Sequence, residues 1–180
     1  MASTESISNP LLESRDVVMT DSLVLFWKGF LSQWYPCEFE VDGVVYANAE
    51  QYMMAGKARL FGDDEMLEAI LAETSPRKIK GLGRCVRNFD DKVWKAECLA
   101  IVEAGNVAKF SQSEELAAAL LATGTRTIAE ASPYDKIWGI GLAPNDRRAL
   151  SRKNWRGSNL LGKALMAVRR QLAVARGLEL

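Results

Sequence analysis

Asp42-Gly43 sits between two alternating runs, Phe39-Glu40-Val41 and Val44-Val45-Tyr46. Asp-Gly favours the tight turn of a two-residue hairpin, where both central residues take positive φ. A β-hairpin is therefore expected at 39–46. Asn48 follows at once as an N-cap, and the period of the pattern changes from two to 3.6. From there the chain reads as a succession of helices: one opening at Asn48, one at 63–72, and a short one from Ser75-Pro76 to about Gly81. Then come a loop (GLGRCVRNFDD), a long helix at 92–112 and another at 113–124. A strand is expected at 21–29 and a short one at 127–132, with a closing helix at 159–177. The class is α+β, predominantly helical, with a small early sheet and hairpin. Residues 1–20 read as a flexible lead-in, loosest up to about residue 15, and 21–177 as a single domain.

Composition narrows the function. Lysine and arginine total 23 and aspartate and glutamate 23, so no global basic field suggests a nucleic-acid partner. No apolar run approaches the roughly 20 residues of a membrane span. The three cysteines, Cys37, Cys85 and Cys98, lack CxxC spacing. That fits reduced thiols and a cytoplasmic setting. The chain contains no histidine. Ser-His-Asp and Cys-His catalysis and histidine metal sites are thereby excluded. Acid–base chemistry must come from carboxylates, Lys, Tyr or Cys.

Within NAEQYMMAGKARLF (48–61), Glu50, Met54 and Lys57 fall on one strip of the helix, within roughly 60° of each other. The strip is either solvated surface or a pocket wall. SPYDKIWGIG (132–141) places Asp135 beside Trp138, with Gly139 and Gly141 allowing close backbone approach. A carboxylate beside a flat ring suits a sugar cation next to a stacked base. Two carboxylates, Glu50 and Asp135, with aromatic neighbours and no histidine, suggest cleavage of a glycosidic bond. The same residues have plain structural readings. Glu50 complements a helix dipole. Trp94, Trp138 and Trp155 suit core packing, and Lys57 and Arg84 suit solvated surface. Arg147, Arg148, Arg152, Lys153 and Arg156 form either a solvated loop or a phosphate site.

The ordered set of motifs resembles the NADAR (YbiA-like) family. It comprises FLSQWYP at 30–36, EQYMMAGK at 50–57, Gly83-Arg84, Trp94, KFSQ at 109–112, EASPYDKIWGIG at 130–141 and NLLGKALMAVR at 159–169. Gln33 stands where that pattern has Asn, and Gln51 where His is common. The resemblance implies an N-glycosidase that hydrolyses the C1′–N bond of ribosylated bases, with no metal and no cofactor. The implied substrates are phosphorylated early riboflavin intermediates of the ribosylaminouracil type, releasing ribose 5-phosphate in metabolite repair. Alternatives are removal of ADP-ribose from guanine in nucleic acid, or a non-catalytic ADP-ribose or NAD sensor. By position, Glu50 and Asp135 would be catalytic. Trp94 and Trp138 would shape the base site, and Lys57 and Arg84 would hold phosphate or ribose oxygens. Tyr52 and Gly139 complete the implied substrate-binding set, while Glu130 and Asn159 would brace the loops.

Overall fold

The computed structural model describes residues 9–179. In chain order the elements are β1 (Val17–Met19), β2 (Leu23–Phe26), β3 (Phe39–Val41), β4 (Val44–Tyr46), α1 (Ala49–Leu60), α2 (Asp64–Ala72), α3 (Pro76–Arg84), α4 (Asp91–Ser111), α5 (Glu114–Ala122), β5 (Thr127–Glu130) and α6 (Leu160–Ala175). The class is α+β and mostly helical. No helix among the described residues is long and apolar enough to cross a membrane. The chain divides into two compact units, one made of the segments up to Leu31 and from Glu114, the other of Ser32–Ser113.

In the first unit the strand order is β1-β2-β5. β1 pairs antiparallel with β2, and β5 parallel with it, Leu25 opposite Ala129. β2 is buried along its whole length, so it carries an unbroken apolar run rather than an alternation. β1 lies inside the expected lead-in. Its pairing partner supplies the order that local composition does not, and Val17 is buried. The rest of that lead-in up to residue 8 lies outside the described residues. Leu23, Leu25, Ala129, Ala131, Ile140, Leu142 and Ala149 form one core cluster, with Trp155 packed against it.

In the second unit β3 and β4 form the expected hairpin. Asp42 (φ 53°) and Gly43 (φ 77°) both take the left-handed conformation that its tight turn needs. α1 packs against α2, α3 and α4. Its alanines at 49, 55 and 58 are buried and let the neighbouring helices come close. One element differs from expectation. The third helix continues through Gly81 and Gly83 to Arg84 instead of stopping at about Gly81. A β-carbon at Gly83 would lie 2.0 Å from Met54 Sδ, so glycine here serves close helix packing.

Candidate active site

The first turn of α1 is unusually well satisfied. A helix start leaves several N–H groups without intrahelical acceptors. Here the Glu50 N–H donates to Gln33 O (3.0 Å), and the Gln51 N–H to Asn48 Oδ1 (2.9 Å). The Glu50 side chain therefore sits in a fixed first turn, and the residue is only 5% exposed. A carboxylate this buried is not ordinary dipole-complementing surface.

On the strip of Glu50, Met54 and Lys57, the first two are buried and Lys57 is half-buried. Met54 lies against Gly83, and Lys57 Nζ donates to Gly83 O (2.7 Å). The Lys57 ammonium also lies 4.2 Å from the Phe89 ring centroid and 5.7 Å from that of Trp94. Burial pulls its pKa below the usual lysine value. The structure thus groups Lys57, Gly83 and Trp94, and leaves Arg84 exposed at the end of α3. Tyr52 points elsewhere. Its ring packs over Gly105 and meets Tyr46 edge-on (5.0 Å between centroids) and Phe39 at 6.1 Å. It belongs to an aromatic cluster with Phe39 and Tyr46.

Gln51 is a structural clamp. It is 2% exposed. Its Nε2 donates to Ile70 O (3.1 Å), Leu71 O (3.2 Å) and Glu73 O (2.8 Å), and its Oε1 accepts from the Ala47 N–H (2.7 Å). It ties the start of α1 to the end of α2. A cleft of about 440 Å³ opens beside this region, lined by Trp34, Pro36, Cys37, Glu38, Ala47, Asn48, Thr74 and Pro76. None of the residues predicted to act on substrate lines it.

In the first unit, Asp135 organises its own loop. Its Oδ1 accepts from the N–H groups of Ile137 (2.8 Å) and Trp138 (2.7 Å), with Gly139 N at 3.5 Å. This is the side-chain-to-backbone turn typical of Asp. Trp138 is half-buried directly beside it. Gly139 admits no side chain, since a β-carbon would lie 2.9 Å from Glu130 O and 3.0 Å from Asp135 O. Asn159 braces the loop as expected, accepting from the Glu130 N–H (3.1 Å) and donating to Ile128 O (2.9 Å). Trp155 is a packing residue, its Nε1 donating to Ala149 O (2.8 Å). Arg147, Arg148, Arg152, Lys153 and Arg156 are all exposed, and Arg148 pairs with Asp146 at 2.6 Å.

The NADAR domain model matches residues 25–173. The chain belongs to the NADAR family. Similar proteins include N-glycosidase R617 of Acanthamoeba polyphaga mimivirus, 48% identical over 145 residues and covering 78% of this chain and 85% of that one. Protein irg-1 of Caenorhabditis elegans is 38% identical over 171 residues, 85% of this chain and 81% of that one. N-glycosidase YbiA of Escherichia coli K12 is 30% identical over 162 residues, 87% and 92% respectively. The NMR structure of E. coli YbiA superposes with a TM-score of 0.72 at 29% identity, covering 92% of this chain and 94% of that one.

Sequence reasoning missed a buried polar cluster beneath the head of α1 in this NADAR chain. Lys109 is 1% exposed, and its Nζ donates to Ser32 O (2.9 Å). It also lies 5.5 Å from the Tyr35 ring centroid. Burial pulls its pKa down to about 8. Asn106, fully buried, donates from Nδ2 to Gln33 Oε1 (2.8 Å) and Val102 O (2.8 Å). The motifs FLSQWYP and KFSQ were signals for Gln33 and Lys109. Nothing in the sequence marked Asn106, which lies inside an apolar helical pattern.

Proposed function

We propose that this chain is an N-glycosidase that hydrolyses the C1′–N bond of ribosylated bases. The observation that carries the reading is the buried Glu50 carboxylate, held in a capped first turn, in a family whose relatives include proteins named N-glycosidases. In such a reaction water adds to C1′ while the C1′–N bond breaks, the bond electrons leave with the base, whose nitrogen takes up the proton that the water loses, and the ring oxygen shares the positive charge that develops. Glu50 is assigned to steady that charge and orient the water. A carboxylate in a water-poor setting acts more strongly on a developing cation than one in bulk solvent. Asp135 is assigned as the second carboxylate. One of its oxygens is committed to the loop amides, which holds the side chain in one orientation.

Lys57 and Arg84 supply positive charge for phosphate or ribose oxygens. Trp94 and Trp138 are assigned to the base, and Gly139 to close backbone approach. The preferred substrates are phosphorylated ribosylaminouracils, early riboflavin intermediates, acted on in the cytoplasm with ribose 5-phosphate as a product. A second reading, removal of ADP-ribose from guanine in nucleic acid, draws on the exposed run Arg147, Arg148, Arg152, Lys153 and Arg156. Incubation with a ribosylaminouracil phosphate and, separately, with ADP-ribosylated guanosine DNA distinguishes them. Ribose 5-phosphate from the first alone supports metabolite repair. ADP-ribose from the second moves the assignment to nucleic acid. Tight ADP-ribose binding with silence on both would overturn the enzyme reading in favour of a sensor.

A further inference from the structure

The first turn that carries Glu50 is held from behind by Gln33. Gln33 grips the head of α1 twice. Its carbonyl accepts the Glu50 N–H (3.0 Å), and its Nε2 lies 3.5 Å from Ala49 O. Gln33 is itself anchored, because its Oε1 accepts from Asn106 Nδ2 (2.8 Å) on α4. Gln33 is 8% exposed and Asn106 fully buried, so neither bond competes with water.

The link has a cost that packing does not explain. Asn106 spends its two hydrogens on Gln33 and Val102, and its Oδ1 has no hydrogen-bond partner within the described protein. A buried amide with an unsatisfied oxygen destabilises a helix interface that an apolar residue would fill better. Such exceptions collect where a protein fixes a geometry for use.

We infer that Asn106 and Gln33 are a positioning couple that sets the first turn of α1, and with it the Glu50 carboxylate, for catalysis. This rests on the proposed role of Glu50. The couple works by combined length: the side chains of Gln33 and Asn106 together span the gap from α4 to the loop carrying residue 33, whose backbone carbonyl holds α1. Shortening one side opens the gap, and lengthening the other closes it.

The test is a length swap. Gln33→Asn, Asn106→Ala and the double variant Gln33→Asn/Asn106→Gln are compared with the wild-type protein on the ribosylaminouracil phosphate. Each is assayed at least 15 °C below its own melting temperature. NMR hydrogen exchange of the Glu50 amide is measured alongside. The expected result is a fall in kcat of about tenfold in both single variants, with KM changed less than about threefold. Glu50 amide exchange should be about tenfold faster, and the swap should recover most of both losses. Wild-type kcat in the single variants with unchanged exchange would overturn the couple. So would losses that the swap leaves in place, or losses that vanish once every variant is assayed fully folded. If the wild-type protein turns over neither ribosylaminouracil phosphate nor ADP-ribosylated DNA, the proposed function falls. Exchange then decides the couple alone: faster Glu50 exchange reversed by the swap supports it, and unchanged exchange overturns it.

Discussion

Gln51→Leu removes the clamp between α1 and α2 while keeping the volume nearly constant. The wild-type amide makes four contacts, three from Nε2 to the carbonyls of Ile70, Leu71 and Glu73, and one to Oε1 from Ala47. The bond to Ile70 O is buried, and its loss costs about 1–3 kcal/mol. The other contacts are part-buried: the second Nε2 hydrogen, shared between Leu71 O and Glu73 O, and the Ala47 bond to Oε1 cost about 0.5–1 kcal/mol each. Leucine recovers about 1 kcal/mol through its apolar surface. The net expectation is about 3 kcal/mol, which in a chain of this size lowers Tm by about 6–12 °C. Gln51→His should recover about half of that loss. A neutral imidazole offers one donor and one acceptor, enough for Ala47 and a single carbonyl. Thermal unfolding followed by circular dichroism measures all three proteins. A Gln51→Leu variant melting within 1 °C of wild type would refute the clamp, and with it the explanation of how this chain dispenses with histidine at position 51.

Further outcomes follow from the loops, the helix crossing and the buried lysine. Asp135→Asn keeps the oxygen that accepts the Ile137 and Trp138 amides, so it should change stability by less than about 1 kcal/mol while lowering turnover at least tenfold. Asp135→Ala should lose activity and also about 1–2 kcal/mol of stability, read by urea unfolding. Gly83→Ala forces a β-carbon to 2.0 Å from Met54 Sδ and should cost about 1–3 kcal/mol, a loss that Met54→Ala in the same chain relieves. Lys109 has a folded pKa lowered by burial to about 8 from 10.5. Between those values the unfolded chain binds more protons than the folded one, so its contribution to stability rises with pH across that window and is flat below it. Lys109→Met should abolish this upward slope between pH 8 and 10.5 in urea unfolding; an unchanged slope would show that Lys109 is not the group responsible.

What the sequence disclosed was local. The hairpin turn at Asp42-Gly43 and the Asn48 cap are decided by a few adjacent residues, and both are present in the structure. β1 was not legible because a three-residue strand is defined by its partner, not its composition. The extension of α3 was hidden because Gly81 and Gly83 look like loop residues, whereas Gly83 answers to Met54, 29 positions earlier. The motif strip was half legible. Periodicity put Glu50, Met54 and Lys57 together, whereas the packing of Tyr52 with Phe39 and Tyr46 is a tertiary contact that no local period encodes. The polar cluster of Gln33, Asn106 and Lys109 joins segments more than 70 residues apart. A lysine and an asparagine in a long helix read as solvated until the fold buries them.

The most direct measurement is product release by wild-type protein and by Glu50→Gln, with a ribosylaminouracil phosphate as substrate. Glutamine keeps the size of the side chain and the Glu50 N–H bond to Gln33, so the variant should melt within a few degrees of wild type. An N-glycosidase that depends on the Glu50 carboxylate releases ribose 5-phosphate in the wild type and loses at least about a hundredfold in kcat in the variant. A folded Glu50→Gln protein that retains most of the wild-type rate would contradict the assignment.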